Sequence, residues 1–169
     1  MGKKGSYNFV RVFFYTFEFQ MEAITNLMNH VIGYLKPAEV WIRVFSDQNL
    51  QNKIIVEYIQ QDQLFEKGVD ETGQIIGTYS AYTEFLTNGR KKEGEPYNLF
   101  NTGDFYRSMV FLLGKDFFEV DADPIKDNDN LFTKFGEGII GLTEESKEKL
   151  KTELLERYDK EVRRILQGN

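Results

Sequence analysis

A helical pattern near the carboxyl end most restricts what this chain can fold into. Residues 143–167 have apolar side chains spaced to form one face of a helix, namely Leu150, Leu154, Tyr158, Val162 and Ile165. The other face carries oppositely charged residues four apart, Glu145/Lys149 and Glu156/Lys160. Because such a helix is stable mainly when its apolar face is covered, the rest of the chain must supply a surface to pack against it.

The amino-terminal part shows a strand pattern followed by a helix pattern. Residues 8–20 alternate as in a strand, and one face of that strand carries Phe9, Arg11, Phe13, Tyr15, Phe17 and Phe19. Residues 21–35 have apolar side chains at helical spacing, and Pro37 is expected to end this helix.

The next two segments predict a strand and a longer helix. Residues 39–45 (EVWIRVF) are rich in β-branched and aromatic side chains and predict a short strand. Ser46 or Asp47 is a suitable N-cap for the helix that follows. The apolar stripe of that helix consists of Leu50, Ile54, Ile55, Tyr58, Ile59 and Phe65.

Glycine and polar residues dominate residues 68–96, which therefore predict a long extended loop or arm. Order is expected to return at Tyr97. Thr102 is a candidate cap for a short turn that begins at Gly103, and residues 109–113 and 116–121 predict a hairpin around Gly114. The whole chain, 1–169, thus predicts a single α+β domain. It would contain a small antiparallel sheet packed with two or three helices, the long loop and the C-terminal amphipathic helix.

Composition excludes several classes of protein. The net charge is −6, which argues against a surface for duplex DNA or for an anionic membrane. The chain has no cysteine, which excludes disulfides and thiolate metal sites. No apolar run approaches the ~20 residues that span a bilayer, and no signal peptide is recognisable. We therefore expect a protein made in the cytoplasm.

Candidates for chemistry are few. His30, the single histidine, lacks a nearby nucleophile or carboxylate pair to complete a catalytic set. The acidic stretch 121–130 could supply oxygen ligands to a hard cation, but it lacks the glycine and the bidentate glutamate of an EF-hand, and a solvated turn explains it as well. The basic run 90–92 could contact nucleic acid or simply be solvated. We expect no catalytic residues, no cofactor and no metal site.

A resemblance to a known family rests on residues 64–109. A helix ends in Leu64-Phe65, an Asp70-x-x-Gly73 loop follows, and Ser80 and Thr83 lie downstream. The signature itself is Leu99-Phe100-Asn101-Thr102-Gly103-Asp104-Phe105-Tyr106-Arg107-Ser108-Met109. These motifs resemble the Mu-type virion morphogenesis and tail-completion family of phages. Similar proteins occur in Bacteroides phages, including crAss-like ones.

The similarity continues to the end of the chain. Residues 132–138 fall where the family has a short helix and a glycine, and residues 139–143 fall where its final helix begins. Phe105 stands where the family usually has leucine. The structural motif of this resemblance is Thr102, Gly103, Phe105 and Ser108, which we interpret as a fold element and not as an active site. We expect Phe105 and Met109 to lie on one apolar face of a short turn, and Arg107 and Ser108 to point away from it.

The resemblance implies a virion protein in the neck or tail of a phage. Such proteins form closed homo-oligomeric rings between portal or connector proteins and the tail, and DNA passes through the lumen. Two alternatives stay open at this point. One is a small cytosolic metal-dependent enzyme that uses His30 and residues 121–129, and the other is a phage-encoded protein that interacts with the host.

Aromatic residues, 15% of the chain, also favour association with other chains. Each buried aromatic ring removes ~150–250 Å² from water, and a domain of this length cannot readily hide all of them. We therefore expect part of the surface formed by residues 9–19, or by Phe117 and Phe118, to face another subunit.

Overall fold

A computed structural model describes residues 25–26, 29–115, 117–126 and 129–167. Residues 29–35 are helical (α1), as the sequence predicts. The predicted strand 8–20 lies outside the described residues. The remaining elements, in chain order, are α2 Pro37–Phe45, α3 Gln48–Asn52, a π-helix Lys53–Lys67, α4 Ala81–Leu86, α5 Asp104–Arg107, β1 Val110–Leu113, β2 Phe118–Asp121, β3 Ile125–Lys126, β4 Asp129–Asn130, α6 Leu131–Phe135, a 3-10 helix Glu137–Ile140 and α7 Glu144–Leu166.

The prediction of a strand over residues 39–45 is wrong, because these residues belong to α2. Lys36 has a positive φ of 42° that separates α1 from α2, and Pro37 begins the new helix. Proline suits this first position because its missing N–H would have no partner there. Val40 and Val44, four residues apart, are buried. The helix packs along α7, where the ring of Trp41 lies 4.5 Å from that of Tyr158.

The predicted long helix is confirmed as α3 and the π-helix that continues it. Asp47 is its N-cap, and the Asp47 carboxylate accepts a 2.9 Å hydrogen bond from the backbone N–H of Asn49. Five of the six predicted stripe residues are buried, and these are Leu50, Ile54, Ile55, Tyr58 and Ile59. The sixth, Phe65, is exposed and contacts the ring of Phe100 edge-on at 6.1 Å. The helix ends at Gly68, whose φ is 60°.

The C-terminal helix is also confirmed. The side chain of Thr143 caps α7 by accepting a hydrogen bond from the backbone N–H of Ser146. Leu150 is buried in the core, and the predicted pair Glu145–Lys149 forms at 2.8 Å. In the described part of the chain, no helix is long and apolar enough to cross a bilayer.

Four charged side chains join α7 to the rest of the fold. Glu153 accepts from Lys53 at 2.6 Å and from Arg157 at 2.7 Å, and Arg157 also binds Asp47 at 2.5 Å. Burial raises the pKa of Glu153, but the hydrogen bonds from Lys53 and Arg157 outweigh burial and hold that pKa below its ordinary value. The backbone N–H of Asn49, together with Arg157, lowers the pKa of Asp47.

The predicted hairpin is present as β1 and β2, which pair antiparallel with Val110 opposite Asp121 and Leu113 opposite Phe118. The second sheet, β3 and β4, is shorter. On the inner face of the hairpin, the rings of Phe111 and Phe118 stack at 5.0 Å, and Phe45 of α2 lies 5.1 Å from Phe118. The α+β class is therefore confirmed.

One hydrophobic core joins most of the helices to the first hairpin. Its most deeply buried members are Leu50, Ile54, Ile59, Leu64 and Ile139. The helices that contribute buried residues to this core are α2, α3, the π-helix, α5, α6, the 3-10 helix and α7.

The glycine-rich segment 68–96 has local structure of its own. Asp70 accepts hydrogen bonds from the backbone N–H groups of Thr72 and Gln74 in a tight turn. Two isolated bridges, Val69 to Ile75 and Thr78 to Pro96, join parts of the segment. Helix α4 lies between Thr78 and Pro96, the two residues of the second bridge, and none of its residues is buried.

Candidate functional site

The residues of the family-like signature form α5 and the turn that precedes it. The N-cap of α5 is Gly103, with a φ of 84°, and not Thr102 as the sequence analysis expected. Thr102 stands one residue earlier, and its hydroxyl binds the carboxylate of Asp104. Asp104 is also paired with Arg107, and these two contacts hold the pKa of Asp104 below its ordinary value. The correction has a steric reason, because the left-handed backbone at Gly103 favours glycine.

A side chain at position 103 would also meet its neighbours. A Cβ atom there would lie 2.8 Å from the guanidinium of Arg107 and 3.2 Å from the ring of Phe100. Arg107 uses that guanidinium to donate a 3.0 Å hydrogen bond to the carbonyl of Thr102. The left-handed backbone therefore favours glycine at this position, and a methyl group would also crowd the side chains of Arg107 and Phe100.

The apolar residues of the signature anchor α5 in the core, as the sequence predicts. Phe105, Tyr106 and Met109 are buried. The hydroxyl of Tyr106 donates a 2.6 Å hydrogen bond to the carbonyl of Asn98, and burial raises the pKa of Tyr106. The side chain of Gln60, on the π-helix, donates to the carbonyl of Tyr106 at 2.7 Å.

Ser108 was expected to point away from the core, and the structure gives it a different role. Its hydroxyl donates to the carbonyl of Phe105 at 2.8 Å and accepts from the backbone N–H of Asp123 at 3.0 Å. Ser108 therefore joins α5 to the acidic segment that follows the hairpin. The four motif residues all stabilise the local structure around α5.

In the acidic segment 121–130, several of the described side chains accept hydrogen bonds from the backbone in local turns. Asp121 and Asp123 accept hydrogen bonds from the backbone N–H groups of Ala122 and Ile125. Asn130 caps α6. Asp127 lies outside the described residues, and among the described ones no cluster of three or more potential ligands could hold a metal ion.

His30 and the basic run 90–92 belong to different elements of the fold. His30 is exposed on α1. The Nζ atom of Lys91 lies 5.0 Å from the centre of the Tyr79 ring, and the pKa of Lys91 is lowered by burial and by its neighbour Arg90. Arg90 donates to the carbonyl of Thr87 at the end of α4.

Helix α4 presents an apolar surface that the sequence analysis did not identify. Ser80 caps it by accepting from the backbone N–H of Thr83 at 3.2 Å. Tyr82, Phe85 and Leu86 are 70%, 77% and 59% exposed, and we call these three residues the α4 ridge. The spacing of these residues, i, i+3 and i+4 after a serine, is a sequence signal for a helix. Because glycines lie on both sides of it, residues 68–96 were predicted to be a loop.

A second apolar surface lies between α2 and the turn of the hairpin. This α2–hairpin groove has a volume of about 680 Å³. Its lining residues are Ala38, Trp41, Ile42, Phe45, Leu113, Gly114, Lys115, Phe117, Phe118 and Leu154. Phe117 is 60% exposed. The expectation that Phe117 and Phe118 face another subunit therefore concerns residues that line an open groove.

Comparisons with known proteins found no relatives of this chain. Neither a family model, a curated protein nor a solved structure matches this chain. The resemblance to phage tail-completion proteins is thus carried by the sequence motifs of residues 60–169 alone.

Proposed function

We propose that this chain is a structural protein of a tailed-phage virion. It forms a homo-oligomeric ring in the neck or tail, between portal or connector proteins and the tail, and it joins or completes the head–tail junction. DNA passes through the lumen of the ring without being read by sequence. In this role the chain needs no catalytic centre, no cofactor and no membrane.

The observation that carries this proposal is how the family-like motifs are used in the fold. The Asp70–Gly73 motif is the tight turn after the π-helix, and Ser80 of the downstream Ser/Thr pair is the cap of α4. The signature is α5, which leads directly into β1. Each motif thus has a defined structural task in the order that the family shows, which supports a shared architecture.

The exposed apolar surfaces provide independent support. Single exposed hydrophobic residues are common on monomers, but contiguous apolar patches usually mark contacts with other chains. The α4 ridge and the α2–hairpin groove belong to different elements. A ring of identical subunits needs two such different surfaces on each subunit, because its contacts are head to tail.

The decisive experiment uses purified particles of the phage that encodes the chain. We expect mass spectrometry to detect the protein in several copies per particle, and a symmetry-resolved reconstruction of the neck to contain a ring of it. If the protein is absent from the particles, or is a monomer inside the capsid, the proposal is overturned. The host-interaction protein would then be the better assignment.

The variant His30→Gln tests the proposal that the protein has no catalytic centre. Because His30 is exposed on α1, we expect particles carrying this variant to assemble and infect normally. The change in the free energy of unfolding should stay within about 0.5 kcal/mol, as for other exposed positions. Loss of infectivity with normal folding and normal particles would contradict a purely structural role.

A further inference from the structure

We propose that a cleft between the glycine-rich segment and α6 binds a phosphate group. The cleft has a volume of about 250 Å³ and is lined by three lysines, together with aromatic and aliphatic side chains. We call it the lysine cleft. The phosphate is either free in solution or part of the DNA that the proposed ring encloses, and this second source rests on the proposed function.

Three lysines that are far apart in the sequence meet at this cleft. Lys91 follows α4, Lys126 is in β3 and Lys134 is in α6. The Nζ atom of Lys126 donates a 2.9 Å hydrogen bond to the carbonyl of Leu99, and the Nζ atom of Lys134 lies 5.3 Å from the centre of the Phe135 ring. Both of these partners line the cleft as well. In a chain with a net charge of −6, the fold thus gathers positive charges that repel one another.

The charge of Lys91 is the one that an anion would compensate most directly. Its side chain pairs with no carboxylate in the part of the chain that the structure describes. The Nζ atom lies 5.0 Å from the centre of the Tyr79 ring. Burial and the neighbouring Arg90 lower the pKa of Lys91, because both disfavour its charged form. A bound phosphate would supply the opposite charge that this lysine lacks.

Two carboxylates near the cleft offset only part of this charge. Asp129 lines the cleft, and its carboxylate lies 3.7 Å from the Nζ atom of Lys134. This distance is longer than that of a direct hydrogen bond, and exposed pairs of this kind are weak. Glu95 does not line the cleft and accepts a 3.4 Å hydrogen bond from the backbone N–H of Lys92. The cleft therefore keeps an excess of positive charge.

Aromatic rings form a fixed wall of the cleft. The rings of Tyr79 and Tyr97 meet edge-on at 4.8 Å, and that of Phe135 lies 5.8 Å from Tyr97. The hydroxyl of Tyr79 donates a 2.8 Å hydrogen bond to the side chain of Asn98. A Cβ at Gly77 would lie 2.5 Å from the Tyr97 ring, so glycine leaves room for it. Such rings keep water away and strengthen the attraction between charges, and a preformed cleft loses little conformational entropy on binding.

The backbone of the cleft is strained at Leu99. This residue is buried and has a φ of 53°, in the left-handed region that bulky side chains rarely adopt. In this conformation its carbonyl is the acceptor for Lys126. Residues held in such conformations are concentrated at binding sites, where the surrounding structure stabilises them. The strain at Leu99 thus supports a binding site independently of the charges.

The donors of the cleft fit a phosphate better than a carboxylate. Arginine, whose planar guanidinium matches a planar carboxylate, is not among the lining residues. The ammonium group of lysine is a compact charge with three donors on a flexible stem, so three lysines can reach the oxygens of a tetrahedral anion from different sides. The volume is below the ~300–1,000 Å³ of sites for drug-sized ligands. It therefore suits a single phosphate group, with any further part of the ligand outside.

The first experiment titrates the full-length protein with inorganic phosphate and follows binding by phosphorus NMR. Lys91→Gln and Lys134→Gln each remove one positive charge from the cleft, and we expect each to weaken binding by about fivefold or more. The matched control is Lys151→Gln, which removes the same charge from an exposed position of α7 and should change binding by less than about twofold. Lys126 stays unchanged because its bond to Leu99 supports the fold. Circular dichroism checks that each variant is folded.

The second experiment asks whether the phosphate belongs to DNA. Binding of a short fluorescent duplex of random sequence is measured by anisotropy at several salt concentrations. If the DNA backbone is the source, Lys91→Gln and Lys134→Gln should each reduce the slope of log K against log salt by about 1. A duplex of another sequence should bind equally, since backbone contacts carry no sequence information. Unchanged DNA binding with weakened binding of inorganic phosphate would assign the cleft to free phosphate.

Three results would overturn the phosphate site. One is that the natural protein binds neither probe, and another is that the two cleft variants bind both probes as the natural protein does. The third is an equal loss in Lys151→Gln, which would indicate a general effect of charge. These results are distinguishable from failure of the proposed function. A ring in the neck without phosphate binding would reject only the site, and phosphate binding by a protein that is absent from particles would reject only the virion location.

Discussion

Helices α4 and α5 are both short and aromatic, yet their side chains have opposite environments. Phe105 and Tyr106 of α5 are buried, whereas α4 buries none of its residues and exposes Tyr82 and Phe85. Residue type alone does not explain the difference. The rings of Phe105 and Tyr106 pack against those of Phe132 and Phe100, whereas no residue of α4 belongs to the core. The aromatic residues of this chain therefore stabilise the fold in one region and are exposed in the other.

The largest expected effect is that of removing a ring from α5. Phe105→Ala should lower the free energy of unfolding by about 3–4 kcal/mol, because it leaves a cavity beside Tyr106 and Phe132. Urea denaturation measures this change. The matched control is Tyr82→Ala in α4, where we expect less than about 0.5 kcal/mol. Similar losses for the two variants would mean that α4 is also part of the core.

The glycines of the two regions provide a finer comparison. Gly103 and Gly94 both have positive φ, 84° and 82°, but only Gly103 has neighbours within 4 Å of a Cβ atom. Gly94→Ala should cost about 1 kcal/mol through backbone conformation alone. Gly103→Ala should cost about 2 kcal/mol, because the methyl group also displaces Arg107 and Phe100. Equal costs in thermal or urea denaturation would contradict this account of the signature glycine.

A third prediction concerns the charged residues that hold α7. Because Glu153 and Asp47 have lowered pKa values in the folded protein, the stability that they provide is complete above their ordinary pKa values. It is lost as the pH falls through the lower folded-state values. Glu153→Gln should destabilise the protein by about 1 kcal/mol at pH 7.

The difference between Glu153→Gln and the natural protein should shrink as the pH is lowered from 6 to 3. Urea denaturation across this range measures it. The control is Glu148→Gln, since the exposed pair of Glu148 with Lys151 is longer, at 3.4 Å, and should contribute almost nothing. A difference that does not change with pH would exclude the ionised carboxylate of Glu153 as its cause.

The smallest effect on stability is expected at the ridge. Phe85→Ser should change the free energy of unfolding by less than about 0.5 kcal/mol, because the side chain is mostly exposed. The same change should strongly weaken assembly. Thermal denaturation of dilute protein and sedimentation at high concentration measure the two properties separately. A marked loss of stability in the dilute subunit would show that the ridge packs within its own chain.

Elements whose signals are local were predicted correctly from the sequence. The start of α7 after Thr143, the N-cap at Asp47, which was one of two candidates, and the hairpin around Gly114 each depend on a few neighbouring residues. The motif residues Phe105 and Met109 were correctly placed on one apolar face. Thr102 was assigned the wrong position by one residue, because side-chain preference at a cap did not reveal that Gly103 has a left-handed backbone.

The sequence by itself thus determined the amphipathic helices and the hairpin, since hydrogen bonds and side-chain periodicity within short segments specify them. Tertiary structure decided the rest. The segment EVWIRVF has the composition of a strand, yet it is helical in α2, where Val40 and Val44 are buried and Trp41 packs on Tyr158. Likewise, only the fold exposes the aromatic residues of α4 while burying those of α5. The reason is that burial depends on which distant segments cover a side chain, and this information is absent from local sequence.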